Sequence, residues 1–250
     1  MRRPTAALAV LVATAFLLEA CGDDGSSADT STIVAASSLT GAFGDIEVAF
    51  ETEHPDVDLQ ISFDGSAKLA SAIIEGAPAD LFASADEANL QKVADEDLID
   101  GEPVTFATNT LRIVVAEGNP ADIDSLEDLT SPDVKLSLCG PEVPCGRYAA
   151  LAFEKAGLTI PPAGDQENVN GVLSQVQLGE ADAGIVYVTD VLGAEGVEGV
   201  DLAASAQVTA TYPAAVLADA ANPEVATAFL AFLTSADAQA ILEDHGFGLP

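Results

Sequence analysis

Basic residues are scarce in this 250-residue chain: 8 Lys and Arg stand against 41 Asp and Glu, a formal charge of −33. A polyanion is repelled by such a body, which argues against nucleic acid as a partner. Histidine is scarcer still. His54 and His245 stand far apart, no His-Glu-x-x-His or Gly-x-Ser-x-Gly occurs, and Ser66-Ala67-Lys68 has the wrong spacing for a Ser-x-x-Lys nucleophile. Nothing in the chain therefore points to an enzyme. His54 beside Pro55 and His245 before Gly246 suit helix ends. The acidic run Ala94-Asp95-Glu96-Asp97 lacks the spacing of a calcium loop and reads as a solvated face. Beyond the N-terminus no stretch is long and apolar enough for a transmembrane helix.

What is present begins with a leader. Arg2 and Arg3 precede an apolar run from Ala6 to Leu18, the pattern of a secretory signal over residues 1–20. Leu18-Glu19-Ala20-Cys21 resembles a bacterial lipobox, with Glu19 where a small or hydroxyl residue is usual; Cys21 is then the lipid-modified first residue. Residues 21–31, rich in Gly, Ser and Asp, read as a flexible tether. With Arg2, Arg3 and Glu19 removed, the 8 basic and 41 acidic residues fall to 6 and 40, a formal charge of −34. Cys139 and Cys145 remain, separated by Gly140, Pro141 and Pro144 among others, with no His or third Cys nearby. Outside the cytoplasm this spacing predicts a loop-closing disulfide, two reduced structural thiols being the alternative.

The apolar pattern predicts an α/β fold. Ile33–Ala36 reads as a buried strand, Leu39 to Phe50 as a helix stopped by His54-Pro55-Asp56, and Val57 to Phe63 as a strand. A helix through Leu69 to Ile74 ends at Gly76-Ala77-Pro78, and Leu81–Ala83 is a third strand. This βαβαβ unit places Ser38 and Ser66 on one edge of a parallel sheet. Strands are expected at Leu111–Ala116, Val134–Leu138, Ala183–Val188 and Ala214–Leu217, with a short helical stretch near Leu126. Helices are expected at Gly146–Ala156 and Val169–Leu178, followed by two closing helices. The chain leaves a first lobe near Asn109-Thr110-Leu111 and re-enters it near Thr211-Tyr212-Pro213, giving lobe one as 32–110 with 212–250 and lobe two as 111–211. Two crossings make a hinge, and ligands of such folds sit in the crevice.

Five segments stand at strand ends or helix starts and offer hydroxyls or free N–H groups without a cationic donor: 36–40, 63–67, 144–146, 167–171 and 184–187. Segments 35–40 and 184–187, together with the run Glu75-Gly76-Ala77-Pro78-Ala79-Asp80-Leu81-Phe82-Ala83-Ser84-Ala85-Asp86 and the closing Phe232-Leu233 to Gly246-Phe247, resemble the periplasmic molybdate-binding proteins of ABC transporters. The resemblance covers nearly the whole chain after the tether and implies a two-lobed periplasmic-binding-protein fold (type II), with mixed sheets flanked by helices. It implies ligand contacts at Ser38, Ser66, Cys145, Val169 and Tyr187. Cys145 replaces the usual alanine, but the contact there is a main-chain N–H.

First-turn N–H groups lack internal acceptors and carry partial positive charge, so neutral donors suffice to hold a dianion. A site of donors alone also has no partner for a protonated ligand, which favours a fully deprotonated tetrahedral oxyanion. The expected function is that of an extracytoplasmic, lipid-anchored, monomeric receptor that delivers molybdate or tungstate to a permease without a cofactor. The alternatives are a receptor for sulfate or thiosulfate and an acidic surface lipoprotein outside transport. Lys68 and Arg147, two positions beyond Ser66 and Cys145, are candidates for steering the anion toward the cleft, against a plain surface role.

Overall fold

The computed structural model describes residues 29–159 and 164–250, so the leader, Cys21 and the first part of the tether lie outside the described residues. Strand β1 (Asp29–Ala36) pairs in parallel with β2 (Val57–Asp64) on one side and with β3 (Leu81–Ala83) on the other. Helices α1 (Thr40–Glu53) and α2 (Ser66–Ile74) make the two crossovers. Ala36 stands opposite Asp64 in the register, so the turns carrying Ser38 and Ser66 leave the sheet side by side. Helix α1 buries Ala42, Phe43, Ile46 and Phe50 at helical spacing and stops at His54, whose ring lies 4.4 Å from that of Phe50.

The sheet continues through two antiparallel strands. Strand β3 pairs with β8 (Thr209–Leu217), and β8 pairs with β4 (Ile99–Ala116) as far as Thr110. From Leu111 onward β4 pairs instead with β6 (Ala183–Tyr187), and its other edge carries β7 (Val197–Asp201). Strand β5 (Leu136–Ser137) lies parallel to β6, which gives the order β2-β1-β3-β8-β4-β6-β5 with β7 beside β4. One strand thus serves two regions of sheet and changes partners between Thr110 and Leu111.

Five elements depart from the sequence pattern. Strand β4 starts at Ile99, well before Leu111, because Gly101, Glu102 and Pro103 are absorbed in an irregular stretch where the register shifts. The strand expected at Val134–Leu138 shrinks to Leu136–Ser137, since Val134 donates to Ser131 in a turn. Helix α3 (Glu87–Ala94) follows β3, capped by the Asp86 carboxylate and burying Leu90 and Val93. Helix α6 (Val188–Leu192) and β7 likewise had no counterpart in the pattern. Helices α4 (Pro144–Lys155) and α5 (Val169–Gln177) flank β6. Helices α7 (Pro223–Phe232) and α8 (Ala236–Asp244) close on the first region, where Phe229 meets Phe43 and Phe50 edge to face at 5.9 and 5.3 Å.

Asp80, which opens β3, ties this region together. Its buried carboxylate accepts the N–H groups of Thr32 (2.7 Å), Ala221 (2.5 Å) and Asn222 (3.0 Å) and the hydroxyl of Ser31 (3.1 Å). Desolvation pushes its pKa up, but the donors from Thr32, Asn222, Ser31 and Ala221 outweigh it and hold the group below the ordinary carboxylate value. Asp80→Asn turns one acceptor into a donor facing donors, and is expected to cost about 2–4 kcal/mol in denaturant unfolding at pH 7. Because the folded pKa is depressed, this stabilisation is complete above the unfolded value near 4 and is lost as pH falls through the lower folded one. The gap between wild type and Asp80→Asn should therefore narrow below about pH 4.

Candidate functional site

Ser38, Ser66, Cys145, Val169 and Tyr187 line one narrow cleft whose walls nearly touch. Three come from strand ends: Ser38 follows β1, Ser66 follows β2 and Tyr187 ends β6. The other two open helices, Cys145 in the first turn of α4 and Val169 at the start of α5. No Lys, Arg, His, Asp or Glu stands among the lining residues.

The helix starts are left open for an acceptor. No side chain caps the 3-10 turn Ser37–Leu39 that leads into α1, nor α2, nor α4. The capping role that a serine often plays at such positions is thus filled by neither Ser38 nor Ser66. In α4 the Arg147 N–H returns to Val143 and Pro144 has none, which leaves those of Cys145 and Gly146 without a helical acceptor. In α5 the Asn168 side chain takes the N–H of Gly171, and those of Val169 and Asn170 stay open. Four positive helix ends converge on one small space.

The hydroxyls are held from behind. Ser66, buried, accepts the Ala85 N–H at 3.0 Å, and Ser38 Oγ lies 2.9 Å from Tyr212 Oη. Tyr187 is fully buried, and its Oη is the one buried side-chain polar atom without a hydrogen-bond partner among the described residues. Burial raises its pKa well above the usual phenol value, so it stays a donor at neutral pH. Its backbone N–H is tied to Asp190 at 2.8 Å, and burial pushes that carboxyl up to about 7. A wider groove adjoins the cleft and shares Ser37 and Ser38, but Asp190, Glu195 and Asp244 line it, which disfavours an anion there.

Cys139 and Cys145 form a disulfide with a Cα separation of 5.7 Å. It joins the α4 turn to the chain that continues β5, and that chain bonds the α5 approach: Gly140 N–H to Gln166 at 3.0 Å and Gln166 N–H to Leu138 at 3.3 Å. The two donor turns are therefore held as one unit. Gly65 meets this unit from the opposite wall, and a Cβ there would collide with the Glu167 carbonyl. The need for glycine at Gly65 and for Asn168 as a cap had only local turn signals in the sequence.

The cations stand at the rim, ion-paired. Lys68 lies 2.8 Å from Asp64 and 3.5 Å from Glu167, and Arg147 lies 3.1 Å from Asp86 and 3.8 Å from Glu142. Lys92, absent from the sequence expectations, lies 3.2 Å from Glu142. In each set at least one carboxylate belongs to the facing wall. Each of Lys68 and Arg147 has two carboxylates within 4 Å, so neither presents net positive charge to an incoming anion.

Comparison with known proteins gives the family and the fold. Residues 31–248 match the family of bacterial extracellular solute-binding proteins. The molybdate-binding protein ModA of Mycobacterium tuberculosis is 41% identical over 219 residues, 87% of this chain and 84% of that protein. The putative ABC transporter substrate-binding lipoprotein YvgL of Bacillus subtilis is 33% identical over 247 residues, 94% of each chain. The periplasmic molybdate-binding protein of Azotobacter vinelandii has the same fold, with a TM-score of 0.75 at 21% identity over 88% of this chain and 99% of that one. With its two-lobed α/β architecture, the chain belongs to the bacterial extracellular solute-binding proteins, a family of transport receptors and not of enzymes.

Proposed function

We propose that this protein captures molybdate or tungstate outside the cytoplasmic membrane and hands it to an ABC permease. The observation that carries this reading is the orphan hydroxyl of Tyr187, buried beside a cleft walled by open N–H groups and free of cations and carboxylates. An unpaired buried donor costs roughly 1–3 kcal/mol unless an acceptor arrives. A dianion would supply it. Hydrogen bonds to a charged group contribute about 1.5–3 kcal/mol each, so about six or seven gross on the order of 10–20. After ordering and desolvation, the 8–12 kcal/mol of roughly micromolar to nanomolar binding remains within reach.

The contacts assigned are the hydroxyls of Ser38, Ser66 and Tyr187 and the main-chain N–H groups at Cys145 and Val169. The identity to ModA relatives supports molybdate over sulfate. Residues 32–110 with 212–250 and residues 111–211 serve as the two lobes, closing about the ligand. One chain completes the site and no cofactor enters it. Cys21 anchors the protein to the membrane, a reading supported by the lipobox-like segment and by the relative named a lipoprotein. Lys68, Arg147 and Lys92 act as a clasp on the closed form, supported by their pairing with carboxylates of the facing wall.

Thermal unfolding with millimolar molybdate, tungstate, sulfate and phosphate is the direct test. Molybdate and tungstate should each raise the midpoint by several degrees, as a ligand present at about 1,000 times its Kd adds about 4 kcal/mol. A larger shift with sulfate would reassign the ligand, and no shift with any oxyanion would favour a surface lipoprotein outside transport. Tyr187→Phe should move the two states in opposite directions. The ligand-free protein becomes more stable by about 1 kcal/mol, because an unpaired buried hydroxyl is removed, while molybdate affinity falls roughly tenfold or more. The clasp predicts that Lys68→Gln combined with Arg147→Gln speeds molybdate dissociation about threefold to tenfold and leaves low-salt association little changed in stopped flow. Slower association with lost salt dependence would instead restore the steering role.

A further inference from the structure

The phenol of Tyr212 is a buried polar group that the ligand contacts do not use. It sits in β8, fully buried, with the rings of Phe247, Tyr187 and Phe106 at 5.4, 6.0 and 6.4 Å. We propose that Tyr212 is a specificity-determining positioning residue that donates its proton to Ser38 and so forces the Ser38 proton into the cleft. The inference rests on the oxyanion reading above and concerns how that site rejects protonated ligands.

The direction of the Ser38–Tyr212 bond follows from what lies behind it. The Asn109 side chain is oriented by its own backbone neighbour, since Oδ1 accepts the Thr110 N–H at 2.9 Å. Its Nδ2 therefore faces Thr189 Oγ1 at 2.9 Å and Tyr212 Oη at 3.5 Å. With an N–H directed at it from Asn109, Tyr212 Oη turns its own proton to the remaining neighbour, Ser38 Oγ at 2.9 Å. The chemistry points the same way, because a phenol is a stronger donor and a weaker acceptor than an alkyl hydroxyl. Burial keeps this phenol protonated, so it does not become a bare acceptor.

Ser66 carries the same device in a form that cannot rotate, because its Oγ accepts the backbone N–H of Ala85. Both serine hydroxyls thus have a lone pair filled from the protein side, and both protons face the ligand. A ligand that brings its own proton, such as hydrogen phosphate, meets O–H against O–H at both serines. A free serine hydroxyl would rotate and accept that proton. The lock on Ser38 is a side chain, so mutation can remove it.

Calorimetric titration of wild type, Tyr212→Phe, Ser38→Ala and the double variant with sodium molybdate and with sodium phosphate at pH 7 tests this. Tyr212→Phe keeps the ring and its packing. It is expected to weaken molybdate about threefold to tenfold and to narrow the molybdate-to-phosphate affinity ratio at least tenfold. In the Ser38→Ala background the same substitution should leave the ratio within about twofold, because no hydroxyl remains to orient. An unchanged ratio in Tyr212→Phe, or a change of the same size in both backgrounds, would overturn the proposal and leave Tyr212 a packing residue. Should Tyr212→Phe unfold, Asn109→Ala, which frees the Tyr212 proton to turn away, should narrow the ratio in the same direction; an unchanged ratio there also overturns it. Failure of the wild type to bind molybdate, tungstate or sulfate would overturn the oxyanion reading and this inference together, whereas wild-type binding with no effect of Tyr212→Phe sinks only the latter.

Discussion

A doubly negative ion held without a counter-charge, inside a protein that is itself strongly anionic, requires dipoles aimed in advance. The structure meets this with four helix starts that face one cleft, three of them without a side-chain cap and the fourth, α5, with its first two N–H groups open. An absent cap costs about 1 kcal/mol at an ordinary helix. Away from the cleft Asp86 caps α3 and Ser235 caps α8, while α7 starts at Pro223 without a side-chain cap. The cost falls where an acceptor is to come, as does the unpaired hydroxyl of Tyr187. On the proposed reading, the bound oxyanion repays all of these at once, so stability withheld from the empty protein becomes affinity.

The placement of the few cations fits this constraint. A lysine or arginine in the cleft would bind anions by charge and discriminate poorly among them, because a point charge does not register where a ligand carries its protons. Neutral donors of fixed direction do register it. Lys68, Lys92 and Arg147 stand at the rim, where pairing with Glu167, Glu142 and Asp86 sets attraction between walls that would otherwise repel. Exposed pairs of this kind are individually weak. The Arg147 pair differs, since Asp86 is buried and already accepts two hydrogen bonds from Asn89.

Much of this was legible before any coordinates. Strand β1, helix α1 and strand β2 follow from apolar spacing and from the stop at His54-Pro55, and their topology puts Ser38 beside Ser66. The pairing of Cys139 with Cys145 follows from two cysteines in a short Gly- and Pro-rich stretch. What escaped depends on partners distant in sequence. Tyr212 marks only the expected crossing between lobes, because the polar role proposed for it is set by Ser38, 174 residues away, and by Asn109. The first part of β4 escaped because Gly101, Glu102 and Pro103 look like a turn until β8 supplies the facing edge. Lys68 and Arg147 stood out as rare cations, but only the facing carboxylates show what their charge does.

On the proposed reading, the dipoles that hold the ligand also disfavour an empty closed cleft. Each helix start carries roughly half a positive charge, and four of them meet across one narrow cleft in a low-dielectric wall. Within one wall the α4 and α5 starts cannot separate, since the Cys139 disulfide and the Gln166 rung bind them together. Their repulsion is relieved only by water or by motion of the other wall, where Gly65 abuts Glu167 without covalent restraint. On this reading the empty gap takes up water and the walls part. A dianion cancels the converging charge instead, so the rim pairs can hold the walls together at the weak strength that exposed salt bridges supply. Rigid coupling within a wall and loose coupling between walls are thus two consequences of a site built from dipoles alone.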